Sequence, residues 1–269
     1  MIAEVLHLIP KPVRRVARKL VDETGLFRFR QQLGKATPIL VYQMGKVGSS
    51  SVYESLLNQY RGVVLHSHGF SESYGDPKTQ LLYRWVTQHT RALKIISLTR
   101  EPIGRNISAF FHNFERDTGV PYADSKFSTE ELRSIFLSNY DHDFPLNWFD
   151  KTILDNFGID VFSRPFPSHG FTTYSNANVS VLVMRSEIAD REKITAIKEF
   201  LGVREFQLVN TNIGARKDYA AAYRAFIENV RLPPEYVEKM CESRYFRHFY
   251  DEAAISAARQ RWSEDAGEN

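Results

Sequence analysis

Cysteine is almost absent: Cys241 is the single one in 269 residues. A disulfide framework and a cysteine zinc site are therefore excluded within one chain, and the composition leans toward a reducing compartment. Long apolar runs are missing too; none approaches the ~20 residues that span a bilayer. Residues 1–10 lack the basic flank and small-residue cleavage site of a signal peptide, so a cytoplasmic location is expected. Charge of one sign is not in excess. The net charge is only +3, with 25% charged residues, and a pI near 8.8 suits an anionic ligand as well as nucleic acid. No basic helix carries interleaved stacking aromatics, which argues against a nucleic-acid partner. Internal repeats and low-complexity runs are absent.

What is there is a globular composition, 43% hydrophobic and 13% aromatic, enough to bury one ordinary core. The first 35 residues read as a helical N-terminal extension. Within residues 11–21, Lys11, Arg14, Arg15, Arg18 and Lys19 accompany Val13, Val16, Ala17, Leu20 and Val21 at helical spacing. That pattern fits a peripheral membrane contact with anionic lipid, or a helix packed on the domain or on a partner subunit. Residues 36–252 form the domain, and residues 253–269 are expected to fray as a C-terminal tail.

Inside the domain, apolar runs predict strands over Thr37–Gln43, Gly62–His66, Leu93–Leu98 and Val179–Met184. Helical periodicity covers Val52–Tyr60, Thr79–Thr90, Ile103–Phe114, Ser128–Phe157, Ala189–Leu201, Lys217–Val230 and Pro234–Tyr245. Strands alternating with helices imply an α/β fold, a mostly parallel sheet covered on both faces. Ligands in such sheets bind at the carboxyl ends of the strands, and two motifs fall there.

The first motif is Gln43-Met-Gly-Lys-Val-Gly-Ser-Ser-Ser51, running from a strand into a helix. Gly45 and Gly48 let backbone N–H groups approach an anion closely. The helix start adds unpaired donors and partial positive charge. Lys46 supplies a full charge, and Ser49, Ser50 and Ser51 supply hydroxyls. Its lysine comes too early for a Walker A loop, and no strand ends in an obvious magnesium-binding aspartate. The loop therefore looks built for a doubly charged group without a metal. A plain turn is the other reading, with Ser51 capping the helix and Glu54 completing a capping box.

The second motif begins at Arg100, directly after the third strand, with Pro102 two residues on and Ser108 eight residues on. A guanidinium fork suits a phosphate, and a hydroxyl from the following helix could complete the site. A salt bridge at Arg100 and a helix hydrogen bond at Ser108 are the structural alternatives. Leu65-His-Ser-His-Gly69 closes the second strand, placing His66 and His68 on one face. Imidazole suits proton transfer near neutral pH. A two-histidine metal site would need a third ligand, and none stands out. Glu54 and Glu101 are rival bases.

Together the two motifs resemble the sulfotransferase superfamily that uses 3′-phosphoadenosine 5′-phosphosulfate (PAPS). Gly45 stands where that family usually has proline. More narrowly, Trp148-Phe-Asp-Lys, Phe157-Gly-Ile-Asp-Val161 and Arg247-His-Phe-Tyr250 resemble bacterial proteins labelled as capsular polysaccharide synthesis enzymes. The resemblance implies a P-loop-like parallel sheet flanked by helices. It implies sulfuryl transfer from PAPS to a hydroxyl of a glycan or capsular polysaccharide, with 3′-phosphoadenosine 5′-phosphate (PAP) as product and no metal. Lys46, Val47, Gly48, Ser49, Ser50 and Ser51 would hold the 5′-phosphosulfate, Arg100 and Ser108 the 3′-phosphate, and Lys217 would close the nucleotide site. His68, matching the second position of a two-apart pair, would be the base. A P-loop kinase or nucleotidase is one alternative. A non-catalytic relative that binds a glycan or anion is another.

Overall fold

The structure is a computed structural model that describes residues 23–121, 127–209 and 219–264. The basic segment 11–21 and Lys217 lie outside the described residues.

Five strands form one sheet: β1 (Ile39–Tyr42), β2 (Val64–Ser67), β3 (Leu93–Thr99), β4 (Phe171–Ser175) and β5 (Val179–Arg185), in the order β2-β1-β3-β5-β4. The first four of that order run parallel; β4 pairs antiparallel with β5. β1 is buried throughout and β3 nearly so, which is why their sequences are continuous apolar runs rather than alternating ones. The chain steps from β1 to β2 on one side and then crosses to β3 on the other. This reversal opens a crevice at the carboxyl end of β1, where α/β sheets bind ligands. No helix among the described residues is long and apolar enough to cross a membrane.

The helices that follow β1, β2 and β3 are α1 (Ser50–Gln59), α2 (Pro77–His89) and α3 (Pro102–Thr118). Proline stands at the start of α2 and α3, where its missing N–H costs nothing. Asp76 and Glu101 cap these two helices through their carboxylates. The expected helix Ser128–Phe157 is divided. A capping box of Ser128 and Glu131 opens α4 (Thr129–Asn139); a break follows, and α5 (Phe144–Phe149) begins with Pro145 in its first turn. A proline inside one continuous helix would clash with the preceding turn, so the chain restarts there. A π-helical turn, Asp150–Leu154, and a last turn, Asp155–Phe157, extend α5.

Further along lie α6 (Asp190–Leu201), α7 (Ala220–Asn229), α8 (Pro234–Cys241), α9 (Arg244–Phe249) and α10 (Glu252–Trp262). The expected helix Pro234–Tyr245 is thus two, separated where Ser243 accepts from the N–H of Phe246 at 3.2 Å and caps α9. The expectation that residues beyond Ala253 fray is corrected through residue 262. Asp251 caps α10, and Ile255, Ala258 and Trp262 are buried beneath it. At the other end, Phe29 and Leu33 of the helical residues 23–33 are buried in the main core.

β4 was not expected. Its outer edge is covered by Arg164, whose guanidinium donates to the Thr172 hydroxyl at 3.2 Å and to the Thr173 carbonyl, and lies 4.8 Å from the Tyr174 ring centre.

Candidate functional site

The loop after β1 is fixed by its carbonyls. His68 Nδ1 meets the Gln43 carbonyl at 2.9 Å, Arg105 Nε donates to the Gly45 carbonyl at 3.0 Å, and Arg100 Nη1 donates to the Lys46 carbonyl at 2.9 Å. In a trans peptide the N–H points opposite to the C=O, so each contact aims the following N–H away from the side chain that grips its carbonyl. Lys46 (φ 75°) and Gly48 (φ 77°) both take left-handed backbone, which gives the loop its turn. Among the described residues, the N–H groups of Val47, Gly48 and Ser49 meet no acceptor. The Val47 side chain is wholly buried, so this residue offers the loop only its backbone.

The expected Ser51–Glu54 capping box does not form. α1 starts two residues earlier than that reading requires, with Ser49 at its N-cap and no side chain capping it. Ser51 leans on the Gly48 carbonyl at 3.5 Å, and Ser50 is exposed. The Ser49 hydroxyl turns inward instead, to Gln43 Nε2 at 2.7 Å and His66 Nε2 at 3.1 Å, while Gln43 Nε2 also meets His66 Nε2 at 2.8 Å. The helix start is left with unpaired N–H donors and its partial positive charge.

The two histidines thus have different environments. His66 is enclosed, and burial first, then its neighbour His68, pulls its pKa down to about 4. It is neutral at physiological pH. Folding therefore disfavours its protonation: the unfolded chain takes up a proton near pH 6.5 and the folded one only near 4. The His66 contribution to stability is complete above about pH 6.5 and is lost as the pH falls toward 4. Melting temperatures measured from pH 7.5 to 4.5 should fall less steeply in His66→Gln than in wild type; parallel curves would refute this. His68 is exposed. A carbonyl can only accept, so the Gln43 contact fixes the proton on Nδ1 and leaves the Nε2 lone pair available.

Arg100 is held on both sides of its backbone by one residue. Its N–H donates to the Tyr245 hydroxyl at 3.1 Å, and that hydroxyl donates to the Arg100 carbonyl at 3.0 Å. Ser108 is half-buried, and among the described residues its hydroxyl has no partner. No direct contact joins it to Arg100. It lies one turn beyond Gly104 on the same face of α3, and a Cβ on Gly104 would stand 4.0 Å from Arg100 Nη2. Glu101 has both carboxylate oxygens engaged, by the N–H groups of Ile103 and Gly104 at 2.7 Å each. Burial raises its pKa, and its role is that of a helix cap.

Two residues escaped the sequence reading. Arg105, 4% exposed, donates to Gly45, to Tyr140 Oη at 2.7 Å and to Asn106 Oδ1 at 3.1 Å, and its guanidinium lies 4.9 Å from the Phe144 ring centre. Tyr245 is the other. Arg105 falls inside the second motif, five residues after Arg100, but only the fold brings Gly45 and Tyr140 to it.

Two hollows flank the loop's anchors. One, of about 660 Å³, is lined by Arg100, Gly104, Arg185, Phe246, Tyr250 and Trp262 among others. The second, of about 340 Å³, is walled by His68 with Asp141, Asp143, Phe144, Trp148 and Lys151 among others. Among the described residues, no three His, Cys, Asp or Glu side chains are grouped so as to hold a metal ion.

The second hollow bears on the comparison with known proteins. Residues 123–251 match a family model described as "Putative capsular polysaccharide synthesis protein". No curated protein and no solved structure matches the chain. The matched region covers a little under half of the sequence. It contributes Asp141, Asp143, Phe144, Trp148 and Lys151 to the second hollow and Tyr245 to the Arg100 anchor. The loop 43–51, His68, Arg100 and Arg105 precede it.

Proposed function

We propose that the protein transfers a sulfuryl group from PAPS to a hydroxyl of a glycan. The observation that carries this reading is the convergence on one loop: three of its carbonyls are gripped by His68, Arg105 and Arg100, while the N–H groups of Val47, Gly48 and Ser49 and the uncapped start of α1 are left for an anion. PAPS supplies an activated sulfuryl group and departs as PAP. The loop N–H groups and Lys46 would hold the phosphosulfate and stabilise charge on the leaving phosphate oxygen, the kind of preorganised electrostatics that dominates group transfer. Arg100 and Ser108 would anchor the nucleotide, whose bulk fits the 660 Å³ hollow beside Arg100 with its Trp262, Tyr250 and Phe246 walls. Remote binding of this kind orients the reacting group.

On the other side, His68 Nε2 would take the proton of the acceptor hydroxyl as that oxygen bonds to sulfur. The second hollow, with carboxylates beside the aromatic Phe144 and Trp148, offers what a sugar ring needs, hydrogen-bond acceptors beside an apolar face. The family match over this same wall supports a glycan-related role. Isothermal calorimetry with PAP should give micromolar binding in the presence of a metal chelator. No heat of binding at millimolar PAP would refute the proposal, and ATP with magnesium in the second cell distinguishes a kinase.

A further inference from the structure

We infer that Arg105 is a positioning residue for the anion loop: it orients the Gly45 peptide and places behind it a positive charge that a bound anion balances. This rests on the reading that the loop binds an anion. The charge is deeply buried, and its hydrogen-bond partners are a backbone carbonyl, an amide oxygen and a phenol, all neutral. No carboxylate pairs with it among the described residues. An isolated buried charge is costly, and native proteins normally pair it.

The cost is compounded by a neighbour. Arg100 grips the next carbonyl along, that of Lys46, and it too makes no ion pair among the described residues. Two guanidinium groups thus hold adjacent peptides; the Glu101 carboxylate acts on Arg100 at longer range, and no carboxylate among the described residues pairs with Arg105. Each carbonyl is polarised by the cation it faces, which strengthens the opposite N–H as a donor. The arrangement is a poor one for a ligand-free protein and a good one for binding a dianion. Arg105 also joins the two sides of the site, since the same guanidinium touches Gly45 of the loop and Phe144 of the second hollow.

Pyrophosphate binding to the full chain, measured by calorimetry, tests this. Arg105→Met should bind at least tenfold more weakly than wild type, and Arg105→Lys, which keeps the charge, should recover part of that loss. If Arg105→Met does not fold, Arg105→Gln takes its place with the same expectation, since its amide can still donate to the Gly45 carbonyl. Equal pyrophosphate affinity in wild type and a folded neutral variant overturns the inference whatever PAP does, and no recovery in Arg105→Lys overturns the part played by charge. Pyrophosphate binding without PAP binding refutes the sulfotransferase reading and leaves Arg105 standing if the neutral variants lose affinity. Absence of pyrophosphate binding by wild type overturns the inference about Arg105, and the sulfotransferase reading then stands or falls with PAP binding.

Discussion

Lys46→Ala should lower sulfuryl transfer from PAPS by roughly 10²–10³-fold, or about 3–4 kcal/mol in the transition state, the range found when one preorganised donor is removed from a developing anion. The position argues that the lysine is kept for such a purpose. Lys46 holds φ at 75°, a conformation that costs a residue with a Cβ roughly 1–2 kcal/mol and glycine almost nothing. Selection for stability alone would favour glycine at 46. A pair of variants separates the two demands. Lys46→Ala keeps the strain and loses the charge; Lys46→Gly loses both. Denaturant unfolding should find Lys46→Gly the more stable of the two by about 0.5–1 kcal/mol, after the entropy that glycine gains in the unfolded chain is deducted. Both should be equally inactive with labelled PAPS. Wild-type transfer rates in either would remove Lys46 from the mechanism.

His68→Asn should lower kcat by about 10²–10⁴-fold, the usual contribution of a positioned general base, while leaving PAP affinity unchanged. Asparagine isolates the proton-accepting role, because its amide nitrogen stands where His68 Nδ1 does and can still donate to the Gln43 carbonyl that Nδ1 now meets at 2.9 Å. The variant therefore keeps the loop's anchor and loses only the basic nitrogen. A kcat close to wild type, with PAP still bound, would move the base elsewhere. His66 would be a poor replacement, with its Nε2 closed in by Gln43 and Ser49 and its pKa near 4. Loss of PAP affinity together with kcat would instead make His68 an anchor of the loop.

The parts of this molecule that sequence reveals are those set by local rules. Ile39–Tyr42 and Leu93–Thr99 are buried on both faces, so their apolar runs announce themselves. The glycine-rich loop and the Arg100 motif stand at strand ends, where chain order alone places them. β4 was hidden because Phe171-Thr-Thr-Tyr-Ser buries only Tyr174 and so shows no apolar run. α10 was hidden because three buried positions among alanines and charged residues make a weak pattern. Ser49 illustrates the harder class. A serine before a helix reads as a cap, yet here tertiary partners, Gln43 and His66, take its hydroxyl. Arg105 belongs with it: a guanidinium bound to backbone and phenol leaves no complementary charge in the sequence to betray it.

Arg164 has a consequence for how the protein behaves in crowded solution. A sheet whose last strand runs antiparallel at its border offers a row of backbone groups on which another chain can template. β4 is five residues long, and the guanidinium of Arg164 occupies the Thr173 carbonyl on that border while lying over Tyr174. A growing fibril or a second molecule would have to displace a cation from its acceptor and its ring before adding a strand. The residue serves as a gatekeeper against lateral polymerisation.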